Sequence, residues 1–296
     1  MTDDRRALLF ALAAVLFWST VATAFKLALR YLDVFQLLLV ASTTSAALLL
    51  GVVVVRKQLG LMLGYLRESP GYFLGVAVIN PCIYYLILLT AYDLLPAQQA
   101  QVINYTWAIT LSLLALLVLG QRLQLRDVLA MCVGYSGVVV IATRGDIASL
   151  QVESVAGVVL ALVSTLVWAS YWIINARNRR DKVVSMCLNF LLAVPLCLLL
   201  CSVFSSPKIS SWPGLGAAVY VGLFEMGITF VLWSMALQAT TRIARISSLI
   251  FLAPFLSLYL IQTVLKEPIH ASTMIGLLLI VPAAMFQQLQ RPKGGE

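Results

Sequence analysis

Leu16-Phe17-Trp18-Ser19 and Leu166-Val167-Trp168-Ala169 are one short pattern met twice, about 150 residues apart, inside two long apolar runs. Further along the offset shortens to about 145. There Leu89-Thr90-Ala91 falls on Ser234-Met235-Ala236, and Asn80 falls on Glu225. At an offset of about 146, Gln121 falls on Glu267. Identities are few, so the weight rests on the agreement in span number, loop length and offset. The two units divide the chain at 1–146 and 147–296.

Working outward from these segments, apolar runs approach the ~20 residues that cross a bilayer as a helix. They are expected at about 7–28, 34–55, 71–92, 96–119, 125–143, 154–175, 182–203, 213–236, 241–264 and 270–288. The chain is 61% hydrophobic and 11% charged, against about 25% charged in soluble domains. The runs do not alternate, which excludes barrel strands. The fold class is therefore an all-α integral membrane protein of ten transmembrane helices. The longest polar interval, 56–70, is loop-sized, with room for a short amphipathic helix.

Five spans per unit is an odd number, so the second unit lies inverted relative to the first. Two such units related by an in-plane pseudo-twofold enclose a central cavity, the arrangement of many secondary transporters. With the N-terminus in the cytoplasm, the inner side holds Arg5, Arg6, Arg56, Lys57, Arg67, Arg122, Arg126, Arg177, Arg179, Arg180, Lys182, Arg242, Arg245, Arg291 and Lys293. That is 15 of the 20 basic residues. The outer side keeps Lys26, Arg30, Arg144, Lys208 and Lys266. This bias places both termini inside. It also explains the net charge of +8 without nucleic acid, since the basic residues sit in short loops and form no single patch. Arg5 and Arg6 ahead of an apolar run, with Ala22-Thr23-Ala24 after it, resemble a signal peptide. Trp18 interrupts that run and Lys26 follows closely, so the segment is read as a retained helix.

With the spans placed, the chain resembles the drug/metabolite transporter superfamily, in its ten-helix form with two tandem EamA-type units. Asn104-Tyr105-Thr106-Trp107-Ala108 is similar to the Asn-Tyr-x-Trp-Pro segment of the YddG-type aromatic amino-acid exporters, with Ala108 in place of the proline. The related position on the ninth run keeps one, Ala253-Pro254. Gln121 stands where many members carry a Glu, and Lys266-Glu267 retains it. The resemblance implies export of aromatic amino acids, or similar small amphiphiles, across a bacterial inner membrane.

Candidate substrate-binding residues follow from polarity at mid-depth. An ionised carboxylate at the bilayer centre costs at least ~2.5–3.5 kcal/mol, so Glu225 must face protein or water. It is read either as the partner of a substrate ammonium or proton, or as a structural carboxyl. Pro81 beside Asn80 removes a backbone hydrogen bond and bends the third run. Pro254 is the second candidate hinge. Trp18, Tyr84, Tyr85, Tyr105, Trp107, Trp168, Tyr171, Trp172, Tyr220, Phe224 and Trp233 gather toward helix middles, whereas Tyr and Trp ordinarily sit at interfaces. Their polar tips need partners there, which favours a wet cavity. Rings in that cavity can stack on a substrate ring and attract its ammonium. The substrate-binding set is Trp18, Asn80, Tyr84, Asn104, Tyr105, Trp107, Trp168, Tyr171, Trp172 and Glu225. Lys26 is expected to snorkel to the interface, and His270 to have a structural role. Gly75, Gly134, Gly137, Gly157, Gly222, Gly227 and Gly276 are expected at close helix contacts.

Catalysis lacks a basis. No nucleophile elbow, phosphate loop, paired intramembrane acids or His-Glu-x-x-His occurs. No cofactor or metal is called for. The five cysteines fall in apolar runs without a Cys-x-x-Cys pair and read as buried thiols. The competing functions are export of another cargo on the same fold, and a membrane enzyme or regulatory subunit. Oligomeric state is left open.

Overall fold

The computed structural model describes residues 3–118, 124–146, 148, 152–240 and 246–289. Gln121, Arg122, Arg242, Arg245, Arg291 and Lys293 lie outside the described residues. Among those described, every regular element is helical. Eight stretches are long and apolar enough to cross a membrane: Asp4–Leu29, Val34–Val55, Pro70–Leu94, Leu125–Ala142, Val155–Ala176, Lys182–Phe204, Trp212–Gln238 and Ser248–Leu265. A shorter apolar helix covers Ala271–Gln287.

The first two helices are unbroken, α1 (Asp3–Leu29) and α2 (Val34–Val55). Asp33 starts α2 in a capping box, its carboxylate accepting from the amides of Phe35 and Gln36, which satisfies two donors at the bare helix end. The polar interval carries a short helix, α3 (Leu59–Glu68). The third run begins with Pro70 in its first turn as α4 (Pro70–Ala77), passes through a π-helical segment Val78–Ile83 and continues as α5 (Tyr84–Leu94). Asn80 in that segment has non-helical angles, φ −141° and ψ 118°, which is the bend that Pro81 imposes.

The fourth run is interrupted too, although no proline lies at the break. It is α6 (Ala97–Asn104) and α7 (Trp107–Val118), separated at Tyr105 and Thr106. Then come α8 (Leu125–Ala142), α9 (Val155–Ala176) and α10 (Lys182–Phe204). The eighth run breaks at Glu225 into α11 (Trp212–Phe224) and α12 (Ile228–Gln238). The ninth has a 3-10 stretch Ser248–Leu252, then α13 (Ala253–Leu260) with Pro254 in its first turn, then a π turn Ile261–Leu265. The last helix is α14 (Ala271–Leu289).

Packing pairs helices of the two halves. The most extensive contacts are α8 with α14, α2 with α10, α1 with α11 and α12, and α5 with α9; α1 also packs on α13, α7 on α9, α2 on α11 and α10 on α4. Missing side chains permit the closest approaches, as small residues do in lipid. A Cβ on Gly137 would lie 2.8 Å from the Gly276 carbonyl, and one on Gly222 would lie 2.4 Å from the Ala41 carbonyl. Gly75 differs from the expectation: a Cβ there meets nothing within 4 Å, because that face of α4 points away from the bundle.

Hydrogen bonds mark two ends. At one end Arg180 donates to Ser69 Oγ at 2.9 Å, lies 3.6 Å from Glu68, and rests over the rings of Tyr65, Tyr72 and Phe73. This joins the α9–α10 turn to α3 and α4. Thr240 donates to Asp4 at 3.1 Å, and Gln287 to the Asp127 carbonyl at 3.3 Å. At the other end Ser205 donates to Asp33, and the Gln36 amide to the Ser206 carbonyl at 2.8 Å. Cys82, Cys187, Cys197 and Cys201 are buried, but Cys132 on α8 is exposed. The apolar surroundings of Cys132 in the sequence do not distinguish a core thiol from one on the outward face of a helix.

Candidate functional site

A cavity of about 280 Å³ lies in the middle of the bundle. It approaches the lower end of the ~300–1,000 Å³ usual for ligand sites. Six spans line it. Trp18, Ala22 and Phe25 come from α1, Tyr84 and Tyr92 from α5, and Gln101, Asn104, Tyr105, Trp107 and Ser112 from the α6–α7 stretch. Trp168 and Trp172 come from α9, Glu225, Phe230 and Trp233 from the α11–α12 stretch, and Ser247, Ile250 and Phe251 from the stretch before α13.

The breaks in the helices put these groups there. Where α11 stops, Glu225 adopts the cap position, its amide bonding the Val221 carbonyl at 2.9 Å. Gly227, at φ −121° and ψ −91°, then redirects the chain into α12. Thr229 Oγ1 donates to the Phe224 carbonyl, and Ser45 Oγ on α2 donates to the Met226 carbonyl at 2.8 Å. Carbonyls freed by the break thus have side-chain donors, as irregular backbone at membrane depth requires. The Glu225 carboxylate accepts from Tyr85 Oη at 3.1 Å, and Trp18 lines the cavity beside it. On the opposite wall Asn104 donates to Ser164 Oγ at 2.9 Å, tying the end of α6 to α9. The first amides of α7, those of Trp107 and Ala108, have no intrahelical acceptor and carry the positive end of that helix.

The rings form one cluster. Trp168 stacks on Tyr84 at 4.5 Å and on Tyr171 at 5.3 Å, and meets Trp172 edge-on at 5.9 Å. Trp18 meets Trp233 at 5.3 Å. Phe230 bridges the halves, 5.6 Å from Trp18 and 6.1 Å from Trp168. Centroid separations of 4.5–7 Å are those of favourable aromatic pairs.

Eight residues of the sequence-derived set meet at the cavity: Trp18, Tyr84, Asn104, Tyr105, Trp107, Trp168, Trp172 and Glu225. Two do not line it. Asn80 is 2% exposed and packs where the π segment meets α9 and α10. Tyr171 lies behind Trp168. Tyr220 and Phe224 also fall elsewhere, because Tyr220 Oη bonds Thr20 at 2.8 Å and Phe224 packs on Phe17, fastening α1 to α11. Phe25, Tyr92, Gln101 and Phe230 line the cavity without having been singled out. The signal for Gln101 was its amide in an apolar run; for the others, a ring in an apolar run carries no sign of the direction it faces.

One end of the cavity is sealed by bonds between the halves. Gln101 Oε1 accepts from Ser257 at 2.7 Å. Glu267 accepts from the amide of Ala97 at 3.1 Å and from the Gln98 side chain at 3.1 Å. Gln98 also donates to the Pro268 carbonyl at 2.7 Å and accepts from the His270 amide at 3.0 Å and Thr273 at 2.8 Å. Lys26 does not snorkel: its ammonium turns inward to the carbonyls of Tyr92 at 2.7 Å and Leu95 at 2.9 Å. Those carbonyls belong to the unpaired end of α5, which attracts a cation more strongly than the interface does. Among the described residues no group of three or more His, Cys, Asp or Glu is placed to hold a metal.

Similarity to known proteins shows the family. The sequence profile of the EamA-like transporter family matches twice, over residues 5–143 and 155–287. The aromatic amino acid exporter YddG of Ancylobacter novellus is 26% identical over 295 residues, 96% of this chain and 98% of that protein. The uncharacterized transporter YvbV of Bacillus subtilis is 27% identical over 222 residues, 73% of this chain and 71% of that one. A solved crystal structure at 23% identity covers 96% of both chains with a TM-score of 0.67, so it shares the fold. The chain is a multi-pass membrane protein and belongs to the EamA-like transporter family.

Proposed function

We propose that this chain is a secondary transporter of the bacterial inner membrane that exports aromatic amino acids. In this reading ten spans form two inverted repeats, 1–146 and 147–296, with both termini in the cytoplasm. The observation that carries the reading is one cavity holding a carboxylate, Glu225, among the rings of Trp18, Trp168, Phe230 and Trp233. An aromatic side chain stacks there, its ammonium lies against Glu225, and its carboxylate faces the first amides of α7.

Two further observations support the repeat. Pairing each span with the one five later, α1 exchanges with α9, the α4–α5 run with the α11–α12 run, and the α6–α7 run with that of α13. The principal contacts are closed under this exchange. The contact of α1 with α11 and α12 becomes that of α9 with α5, and α1 on α13 becomes α9 on α7. The family profile also matches each half separately. Rocking one repeat against the other about the fixed site alternates access.

A second reading keeps the fold and changes the cargo. Among the described residues the cavity lining holds Glu225 and no Lys or Arg, which also suits an organic cation without a carboxylate. Counterflow into proteoliposomes of the purified protein separates the two. Unlabelled tryptophan is expected to compete with labelled tryptophan, while threonine does not. Counterflow of a labelled quaternary amine with none of labelled tryptophan would replace the amino acid with the cation. Absence of counterflow for either would remove both cargoes from the reading.

A further inference from the structure

Beyond the aromatic cavity, at the end sealed by Gln98 and Glu267, a second pocket of about 420 Å³ is lined by Lys26, Leu29, Arg30, Asp93, Leu265 and Glu267. We infer that it is an exit station that holds the zwitterionic head of an α-amino acid after the ring has left the aromatic cavity. The inference rests on the export reading and adds a site to it.

Charges of both signs face this pocket, and among the described residues they form no close ion pair with one another. The ion pairs of the described residues lie elsewhere, Arg144 with Glu153 and Arg180 with Glu68. Lys26 gives two of its three N–H groups to the Tyr92 and Leu95 carbonyls and keeps one. Glu267 accepts from the Ala97 amide at one oxygen and from the Gln98 amide and side chain at the other, which leaves about one of a carboxylate's four acceptor sites. Asp93 and Arg30 are exposed at its edge. A bare cation there meets Lys26 and Arg30, and a bare anion meets Asp93 and Glu267. A zwitterion answers both signs at once, the complementarity that gives charged sites their selectivity. Among the described residues no aromatic side chain lines the pocket, so it reads the head group and ignores the ring.

Lys26 connects this pocket to the cavity. It holds the carbonyl of Tyr92, whose side chain lines the cavity, and it lines the second pocket itself. A carboxylate arriving in the pocket competes for the ammonium and loosens the tie between α1 and α5.

The test uses intact cells and the full chain with Leu265→Cys in a Cys132→Ala background, since Cys132 is the exposed cysteine among the described residues. Leu29→Cys serves as the second labelling position should the first variant not accumulate. A membrane-impermeant thiol reagent is added outside. Tryptophan and alanine are expected to slow labelling equally, about fivefold at four-fifths occupancy. Tryptamine and indole-3-propionate, each with one charge, leave the rate unchanged. Adding Lys26→Gln and Arg30→Gln abolishes the protection. No labelling from outside, no protection, or equal protection by tryptamine overturns the inference. The two readings fail separately. If alanine protects while tryptophan counterflow is absent, the pocket stands and the cargo falls. If counterflow is present and nothing protects, the station alone falls.

Discussion

Replacing Glu225 with Gln is expected to cut tryptophan counterflow about 10- to 140-fold while the protein still folds. The substitution keeps the side chain's size and an oxygen for Tyr85, which now bonds the carboxylate at 3.1 Å. It removes the only acidic charge of the cavity lining among the described residues. A hydrogen bond to a charged group contributes about 1.5–3 kcal/mol, and about 1.4 kcal/mol is a factor of ten. The arithmetic gives the predicted range. The loss should appear as weaker tryptophan binding to the purified protein, measured by calorimetry in detergent. Indole-3-propionate, which has no ammonium, should bind Glu225→Gln at least as well as the unmodified chain. A purely structural carboxyl predicts another pattern: a lowered thermal midpoint and equal weakening for both ligands. That outcome would take Glu225 out of the recognition site.

The helices were legible in the sequence because lipid enforces a simple rule. A run of about 20 apolar residues must hydrogen-bond its own backbone, so its length and position are visible without knowledge of its partners. The short helix at Leu59–Glu68 and the bend at Asn80 were also legible, one from polarity and the other from Pro81. The breaks at Tyr105–Thr106 and at Glu225–Gly227 were not. No proline marks either one. Each is held open by a partner distant in sequence, Ser164 for Asn104 and Ser45 for Met226. Tertiary contacts of that kind leave no local trace.

The site was legible by residue type and less so by direction. Mid-depth tryptophans and a lone carboxylate identified Trp18, Trp168 and Glu225, because polar atoms inside lipid need partners. Apolar sequence does not report which face of a helix a ring occupies. Phe230, which bridges the two tryptophans, was therefore passed over, while Tyr220, which fastens α1 to α11, was grouped with the cavity rings. Lys26 failed for a related reason: near a helix end the interface is the default destination, and the unpaired carbonyls of α5 that outbid it appear only once α1 and α5 are side by side.

Substituting Gly222 by Ala is expected to destabilise the protein by about 1–3 kcal/mol, the usual cost of overpacking, and to impair transport as well. The added methyl would lie 2.4 Å from the Ala41 carbonyl oxygen and 2.7 Å from Thr44 Cβ. The first of these atoms is backbone, so no rotamer change relieves the clash and α11 must move away from α2. Glu225 lies one turn beyond Gly222, and Ser45 on α2 grips the Met226 carbonyl at 2.8 Å in the same joint. Displacing α11 therefore shifts the carboxylate relative to the rings, and ~1 Å of misplacement is enough to cost function heavily. Gly75→Ala is the matched control. A Cβ there meets nothing within 4 Å, and Ala is favoured over Gly in a helix by about 1 kcal/mol. Thermal midpoints in detergent should fall for Gly222→Ala and hold or rise for Gly75→Ala, with counterflow following the same order. Equal midpoints for the two variants would mean that α2 and α11 do not meet as closely as 2.4 Å requires, and the placement of Glu225 at the cavity would lose its support.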